Sequence, residues 1–337
     1  MNKQEFIGKL DTAIDGLADA IAKKGVRFPE EFNDIPGASK LGVPEPKHGA
    51  SHYPKVKPYE PAMRGFIKDE SVRLFAPWKN MPDPAGFDAA IQHVVNGRGK
   101  IATKDVTSVS DIKQMDLGTQ MPGYMVAVRE NLADWRGKTI EAAHLNYINL
   151  FDEMLFLQAN TLRVLELTLK AHQKGISDAQ DDTVKLVDSA AAAVDAIDCW
   201  GGDSNKNVAF NVVAGVIGVL GAATPGVNAV VALAGAAGGL GIAKDLISSK
   251  DPESVPLGAS RIDGVWSNLT SALDRHKELY KEGESLLATT ITNFNTVLNG
   301  NFTTGQGPDG KTVTKPGVEL IRLSTPIDLG SVQAPLA

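Results

Sequence analysis

The chain has 337 residues, 43% of them hydrophobic and 22% charged, with a formal net charge of -6 at pH 7. This length is sufficient for one large domain or two ordinary ones. The acidic balance and the absence of a basic stripe argue against a nucleic-acid partner. The single cysteine, Cys199, excludes an intramolecular disulfide framework.

The N-terminal segment predicts an amphipathic helix that Gly25 ends. Three aspartates, Asp11, Asp15 and Asp19, occupy the region where a cleavable signal peptide would need apolar residues. We therefore expect a protein secreted without such a signal and soluble before any membrane insertion, or alternatively a cytoplasmic one. The apolar face of the helix repeats every three or four positions: Phe6, Leu10, Ile14, Leu17 and Ile21.

Residues 26–84 hold ten of the eighteen prolines. Phrases such as Val43-Pro44-Glu45-Pro46 and Tyr53-Pro54-Lys55-Val56-Lys57-Pro58 are unfavourable for regular helix. Several apolar side chains nevertheless make this segment too hydrophobic for a free linker. We expect an extended arm that docks on a surface through these residues: Phe66, Ile67, Leu74, Phe75 and Trp78.

Helical periodicity resumes after the arm. Pro82-Asp83-Pro84 opens one helix. A second, with Met125, Val128 and Leu132 in its final turns, ends at Asp134-Trp135-Arg136-Gly137. A long helix follows, which we expect Gly175 to interrupt. Ser177-Asp178-Ala179-Gln180 then has the form of a capping box and predicts the start of another helix.

A turn of sequence Trp135-Arg136-Gly137 lies between two of these apolar-periodic helices. An indole can cover the end of a helical hairpin, and a glycine can adopt the conformation of a tight turn. Over residues 81–200 the chain resembles the WxG superfamily, the helical-hairpin proteins exported by type VII secretion. The resemblance implies that Trp135 and Gly137 form the hairpin turn and that the protein is exported.

The most unusual feature is an uncharged run of 37 residues, 207–243, between Lys206 and Lys244. Pro225-Gly226 divides it into two apolar arms, 208–224 and 227–243. As helices they would each reach about 25 Å, slightly short of the roughly 30 Å hydrocarbon core of a bilayer. Small residues recur at four-residue spacing on both arms: Ala214, Gly218 and Ala222, then Gly235, Gly239 and Ala243.

Small residues at this spacing let helices pack closely in lipid. The run therefore predicts an apolar helical hairpin, with two interpretations. It is buried in the core of a helical bundle, or it enters a membrane. Both hold if the hairpin is buried first and released later.

After the hairpin, Pro252 and Pro256 lead into a last long helix, followed by an extended tail with a docked strand at 318–323. The predicted buried face of this helix contains Ile262, Trp266, Leu269, Leu273, Tyr280, Leu287, Ile291, Phe294 and Leu298.

We find no catalytic, cofactor-binding or metal-binding motif: His48 and His52 lie between prolines, and no nucleophile has a base at motif spacing. We expect a protein that is not an enzyme and needs no cofactor.

Long helices on both sides of a Gly/Ala-rich hairpin resemble the architecture of α-helical pore-forming toxins, the cytolysin A and haemolysin BL group. The resemblance implies that residues 139–200 and 260–300 flank a tongue, 208–243, which is hidden in the soluble monomer and inserted when subunits assemble. It also implies a homo-oligomer and a target membrane as partners.

The sequence thus predicts an all-α fold, an elongated bundle of long antiparallel helices with an apolar hairpin. We expect a secreted, membrane-active protein that oligomerises and inserts this hairpin. The alternative is a structural or interaction protein, such as a type VII substrate or assembly subunit, whose hairpin stays buried or docks a partner helical protein. The predicted divisions are 1–25 (amphipathic helix), 26–84 (arm), 85–204 (WxG-like hairpin and long helix), 205–248 (apolar hairpin), 249–300 (last helix) and 301–337 (tail).

Overall fold

The computed structural model describes residues 1–44, 53–101, 120–133, 149–197, 209–212, 253–303, 305–306 and 312–313. Helices dominate these residues, so the predicted all-α class is confirmed for them. The α-helices are α1 (Lys3–Arg27), α2 (Pro29–Asn33), α3 (Tyr53–Val56), α4 (Glu60–Lys79), α5 (Asp88–Ile101), α6 (Gln120–Leu132), α7 (Asn149–Asp195) and α8 (Ile262–Thr303). Short 3-10 helices cover Ala38–Leu41, Lys57–Tyr59 and Pro84–Phe87, and the strands are β1 (Ala209–Val212), β2 (Glu253–Pro256), β3 (Gly305–Gln306) and β4 (Thr312–Val313).

Helix α1 begins where the Asn2 side chain accepts a hydrogen bond from the Glu5 N–H. The five apolar residues of its predicted face are all buried. The prediction that Gly25 ends the helix is wrong, because α1 continues to Arg27 and stops before Pro29. A Cβ on Gly25 would lie 3.0 Å from Cδ2 of Phe32 and 3.2 Å from Sδ of Met63, so the glycine permits close packing.

The prediction of an extended arm over 26–84 is wrong for most of that range, since it contains α2, α3 and α4. Proline lacks the N–H that the first helical turn leaves unpaired, so it is tolerated there. Pro29 and Pro61 occupy such first-turn positions. Of the expected anchors, Ile67, Phe75 and Trp78 are buried in the core, and Phe66 and Leu74 are half-buried against it. Residues 45–52 lie outside the described residues.

Helix α7 is continuous over 47 residues, so the predicted interruption at Gly175 and the new helix at Ser177 are both wrong. The buried side chains of Ile176 and Ala179 hold the helix on its neighbours across the glycine. An interior glycine costs only about 1 kcal/mol relative to alanine, which this burial offsets. The Gln180 side chain donates to the Pro82 carbonyl at 3.4 Å instead of capping a helix.

Helices α1 and α7 together form the centre of the packing. Helix α1 packs against α4 and α7, and α7 packs in addition against α5 and α8. Helices α1 and α4 run antiparallel, and the acidic stripe of α1 faces a basic stripe on α4. The ion pairs are Asp11 with Lys79, Asp15 with Lys68 and Asp19 with Arg64.

The first residues of the predicted apolar hairpin form strand β1 rather than helix. Strand β1 pairs with β2 in an antiparallel ladder, which was not predicted. The side chain of Phe210 is buried, so the strand is anchored in the core. Residues 213–252, which contain the rest of the hairpin, lie outside the described residues.

The C-terminal part differs slightly from the prediction. Helix α8 begins at Ile262, after the second of the two expected prolines, and continues to Thr303. Strands β3 and β4 then pair antiparallel in the tail. The predicted strand at 318–323 lies outside the described residues.

Candidate functional site

The strands before and after the apolar segment pair with each other at one place on the helical core. Strand β1 precedes residues 213–252, and strand β2 follows them. Their ladder pairs Val212 with Glu253, and Phe210 with Val255. We call the base the set formed by Ile197, β1, β2 and Ile262, and we consider it the candidate functional site because it holds the hairpin to the core.

The start of α8 is fixed by a residue from the N-terminal region. The Glu31 carboxylate on α2 accepts a hydrogen bond from the Ile262 N–H at 3.0 Å. This bond satisfies one of the backbone donors that the first turn of a helix leaves unpaired. Burial raises the pKa of Glu31, although this bond and Arg261 oppose the shift.

Arg261 adds a second connection at the same point. Its guanidinium pairs with Asp34, just beyond α2, and with Asp263 in the first turn of α8, the latter at 2.9 Å. Aspartate in a first helical turn is favourable because of the helix dipole. The base is therefore tied to the α2 region through both a cap and an ion pair.

The other side of the base is held by α1. The Lys24 ammonium donates a hydrogen bond to the Ile197 carbonyl, just after the end of α7. A cation at a helix C-terminus satisfies an unpaired carbonyl and complements the helix dipole. Helices α1 and α2 thus fix both the chain that leaves the core before the apolar segment and the chain that returns after it.

Below the base, α7 and α8 run antiparallel, and their contact, here called the seam, contains a buried histidine. His276 of α8 is 2% exposed. Its Nε2 lies 3.2 Å from the Ala179 carbonyl and 3.3 Å from the Thr183 hydroxyl, both on α7. Its ring stacks on Trp78 of α4, with centroids 4.4 Å apart and planes 8° from parallel. Burial lowers the pKa of His276, against the opposing effects of Ala179 and Asp182.

The seam continues away from the base with further polar and aromatic groups. Tyr280 meets Trp78 edge to face, with centroids 6.3 Å apart. Burial, and next the nearby Glu284, raise the pKa of Tyr280 far above its usual range. Glu284 also lies 2.9 Å from Nδ1 of His172 on α7. His172 and His276 thus both contact groups of neighbouring helices.

A separate ionic cluster joins α5 to α7. The Glu166 carboxylate, 2% exposed, lies 3.3 Å from Arg98, 3.2 Å from Arg163 and 2.6 Å from Lys170. Burial raises the pKa of Glu166, but the three cations outweigh it and leave the pKa below its usual value. The cluster holds two helices together. No group of three or more metal-ligating side chains occurs among the described residues.

The residues singled out from the sequence fall outside the part of the chain that the structure describes. These are Trp135 and Gly137 of the WxG-like turn, and Ala214, Gly218, Ala222, Pro225, Gly226, Gly235, Gly239 and Ala243 of the hairpin. Within the described part, none of the helices is both long and apolar enough to cross a membrane.

Sequence reasoning missed the residues that build the base, Lys24 and Glu31. Each acts on a backbone group more than 150 positions away in the chain, as the separations of 173 and 231 show. Comparisons with protein-family models, curated proteins and solved structures found no match to this chain.

Proposed function

We propose that this is a secreted, membrane-active helical protein that oligomerises and inserts the part of the uncharged segment beyond β1, residues 213–243, into a target membrane. One observation carries the proposal: an uncharged segment leaves and rejoins a folded helical core at a single base. Because both of its ends join the core at that base, the segment can enter a bilayer while α7 and α8 on either side of it stay helical. Export by a type VII route rests on the resemblance of Trp135-Arg136-Gly137 to the WxG turn.

The energetics favour insertion of an assembled form. Burial of apolar surface contributes about 25 cal/mol per Å², so two long apolar arms supply a large driving force. The small residues at four-residue spacing allow the arms to pack together in lipid. A single hairpin cannot enclose a pore, so several copies of the chain must assemble.

Dye release from liposomes tests the proposal. The purified protein is added to vesicles of neutral and of anionic lipid over a range of pH, and release is followed by fluorescence. Gly218→Asp places a charge in the first arm, and we expect it to abolish release because an ionised carboxylate is costly in the hydrocarbon core.

Gly65→Asp is the matched control. Gly65 is exposed on α4, and nothing lies within 4 Å of the position that its Cβ would occupy. The control must release dye as the wild type does. Release that survives Gly218→Asp, or that both substitutions abolish equally, contradicts the assignment of the segment.

A second candidate function, the docking of a partner protein, is based on two exposed side chains of α6. On α6, Tyr124 is 69% exposed and Val128, one turn later, is 39% exposed. An apolar pair of this kind favours contact with a partner helical protein or another copy of the chain. Light scattering of wild type and Tyr124→Glu tests it: an assembly that only the wild type forms without lipid, together with no dye release, favours an assembly subunit.

A further inference from the structure

The seam between α7 and α8 supports the base from below. Contacts between the helices follow one antiparallel register: the end of α7 near Asp195 lies opposite the start of α8 at Ile262. Deeper in the seam, Ala179 and Thr183 lie opposite His276. At a rise of about 1.5 Å per residue, His276 lies about 20 Å from the base. Opening the seam at His276 would therefore loosen both helices that lead into the apolar segment.

The hydrogen bonds of His276 define its neutral form. The Ala179 carbonyl can only accept, so Nε2 carries the hydrogen and donates it. The Thr183 hydroxyl donates to the same carbonyl at 2.7 Å, so towards Nε2 it can only accept. The lone pair is therefore on Nδ1, which is buried and has no hydrogen-bond partner.

A second proton must bind at Nδ1 and would create two unfavourable conditions. It would place a donor where no acceptor lies within reach, and it would place a positive charge in a buried site. Two neighbours attract that charge, the face of the Trp78 ring and the Asp182 carboxylate of α7. Asp182 is itself paired with Lys185 at 3.1 Å, which weakens its effect.

The remaining charged and titratable groups around the ring do not compensate. On α4 the neighbour of the ring is the uncharged Trp78. The next residue, Lys79, pairs with Asp11 of α1 instead. On α8 the next groups are Tyr280, one turn further along, whose ring meets Trp78 edge to face, and Glu284, which lies against His172. The lowered pKa of His276 agrees with this balance.

We propose that the seam opens when His276 gains a proton, so that mild acid frees α7 and α8 to release the apolar segment. The proposal deepens the proposed function, on which its membrane consequence rests. The opening of the seam on protonation of His276, which we call the seam device, does not itself require a membrane.

The sign of the pH effect follows from the lowered pKa. The unfolded chain binds the proton near the ordinary histidine value of about 6.5, and the folded chain binds it only at lower pH. The unfolded state thus holds more protons in this window. Stability is full above pH 6.5 and decreases as the pH falls from there through the folded-state pKa.

The experiment compares urea unfolding midpoints between pH 8 and pH 5.5 for the full chain, His276→Gln and His93→Gln. Glutamine cannot gain a proton there, but its amide can still donate to the Ala179 carbonyl. His93 is exposed on α5 and serves as the control. We expect the midpoints of wild type and His93→Gln to fall with pH, and that of His276→Gln to stay nearly constant. An equal fall in all three proteins overturns the proposal.

A second measurement needs no variant. Exchange of the imidazole C2 hydrogen, followed by mass spectrometry of peptides, reports the protonation of each histidine in the wild type. Protonation of His276 only below the ordinary histidine value of about 6.5 supports the proposal, and protonation at that value or above overturns it.

Dye release at pH 7.5 and pH 5.5 separates this inference from the proposed function. A His276-dependent fall in the unfolding midpoint without any dye release supports the seam device and contradicts membrane insertion. Dye release that is equal at both pH values in wild type and His276→Gln supports insertion and contradicts control of that insertion by the seam.

Discussion

The Glu31 carboxylate caps helix α8 from 231 positions away, because it accepts a hydrogen bond from the Ile262 N–H at 3.0 Å. The side chain of Ile262, the donor residue, is fully buried. This contact joins the N-terminal part of the chain to the helix that follows the apolar segment. Together, this contact and the bond from Lys24 to the Ile197 carbonyl attach the base to α1 and α2.

Loss of this cap should destabilise the fold. We expect Glu31→Ala to lower the free energy of unfolding by about 1 kcal/mol, the usual effect of removing a helix cap. Glu30→Ala is the control, because Glu30 is exposed on the same short helix. Urea unfolding measures both. Equal midpoints for the two variants would show that the bond to Ile262 contributes nothing.

Two glycines of α1 should respond in opposite ways to the same substitution. Gly16 is exposed with nothing within 4 Å of its Cβ position, whereas a Cβ on Gly25 would meet the buried ring of Phe32 at 3.0 Å. We expect Gly16→Ala to stabilise the protein by up to about 1 kcal/mol, through helix propensity.

Gly25→Ala gains the same propensity but overpacks the core, so we expect a net loss of stability. Thermal unfolding followed by circular dichroism compares the two variants. An equal increase in melting temperature would mean that Phe32 and Met63 can move aside, contrary to the close packing described.

Elements with complete local signals could be predicted from the sequence. The apolar face of α1 and most of the inner face of α8 follow from periodicity. The helical start at Pro84 follows from capping by Asp83, although the first turn there is a 3-10 helix and α5 begins only at Asp88. Helix α4 was missed because proline density obscured it. Four of its five buried positions, Met63, Ile67, Ser71 and Phe75, repeat every four residues, but the polar Ser71 interrupts the apolar pattern.

The continuity of α7 and the base could not be predicted in the same way. At Gly175 a local signal for an end of the helix is overridden by burial against other helices, which sequence spacing does not show. The bonds of Lys24 and Glu31 join groups far apart in the chain, and neither residue has a distinctive neighbourhood. Such contacts follow only from the folded arrangement.

The register of the ladder at the base can be tested by cross-linking. Asn211 and Ser254 are directly opposite in the β1–β2 ladder. Facing residues of antiparallel strands have Cα atoms about 4.5–5.5 Å apart, within the range that a disulfide bridges. We expect Asn211→Cys with Ser254→Cys to oxidise readily in a Cys199→Ser background, as a mobility change on non-reducing gels shows.

The offset pair Asn211→Cys with Val255→Cys is the control for the ladder. Successive side chains of a strand point to opposite faces, so the two thiols of this pair should not meet. Faster oxidation of the offset pair would mean that the strands pair in another register.

Entry of the apolar segment into lipid can be measured directly. An environment-sensitive fluorophore attached at Gly218→Cys, in a Cys199→Ser background, reports this with vesicles whose lipids carry nitroxide quenchers in their acyl chains. Gly65→Cys on the exposed face of α4 is the control. We predict a blue-shifted emission and strong quenching at position 218, with neither change at position 65. Emission at 218 that stays unshifted and unquenched with every lipid, or that matches position 65, would contradict insertion of the segment.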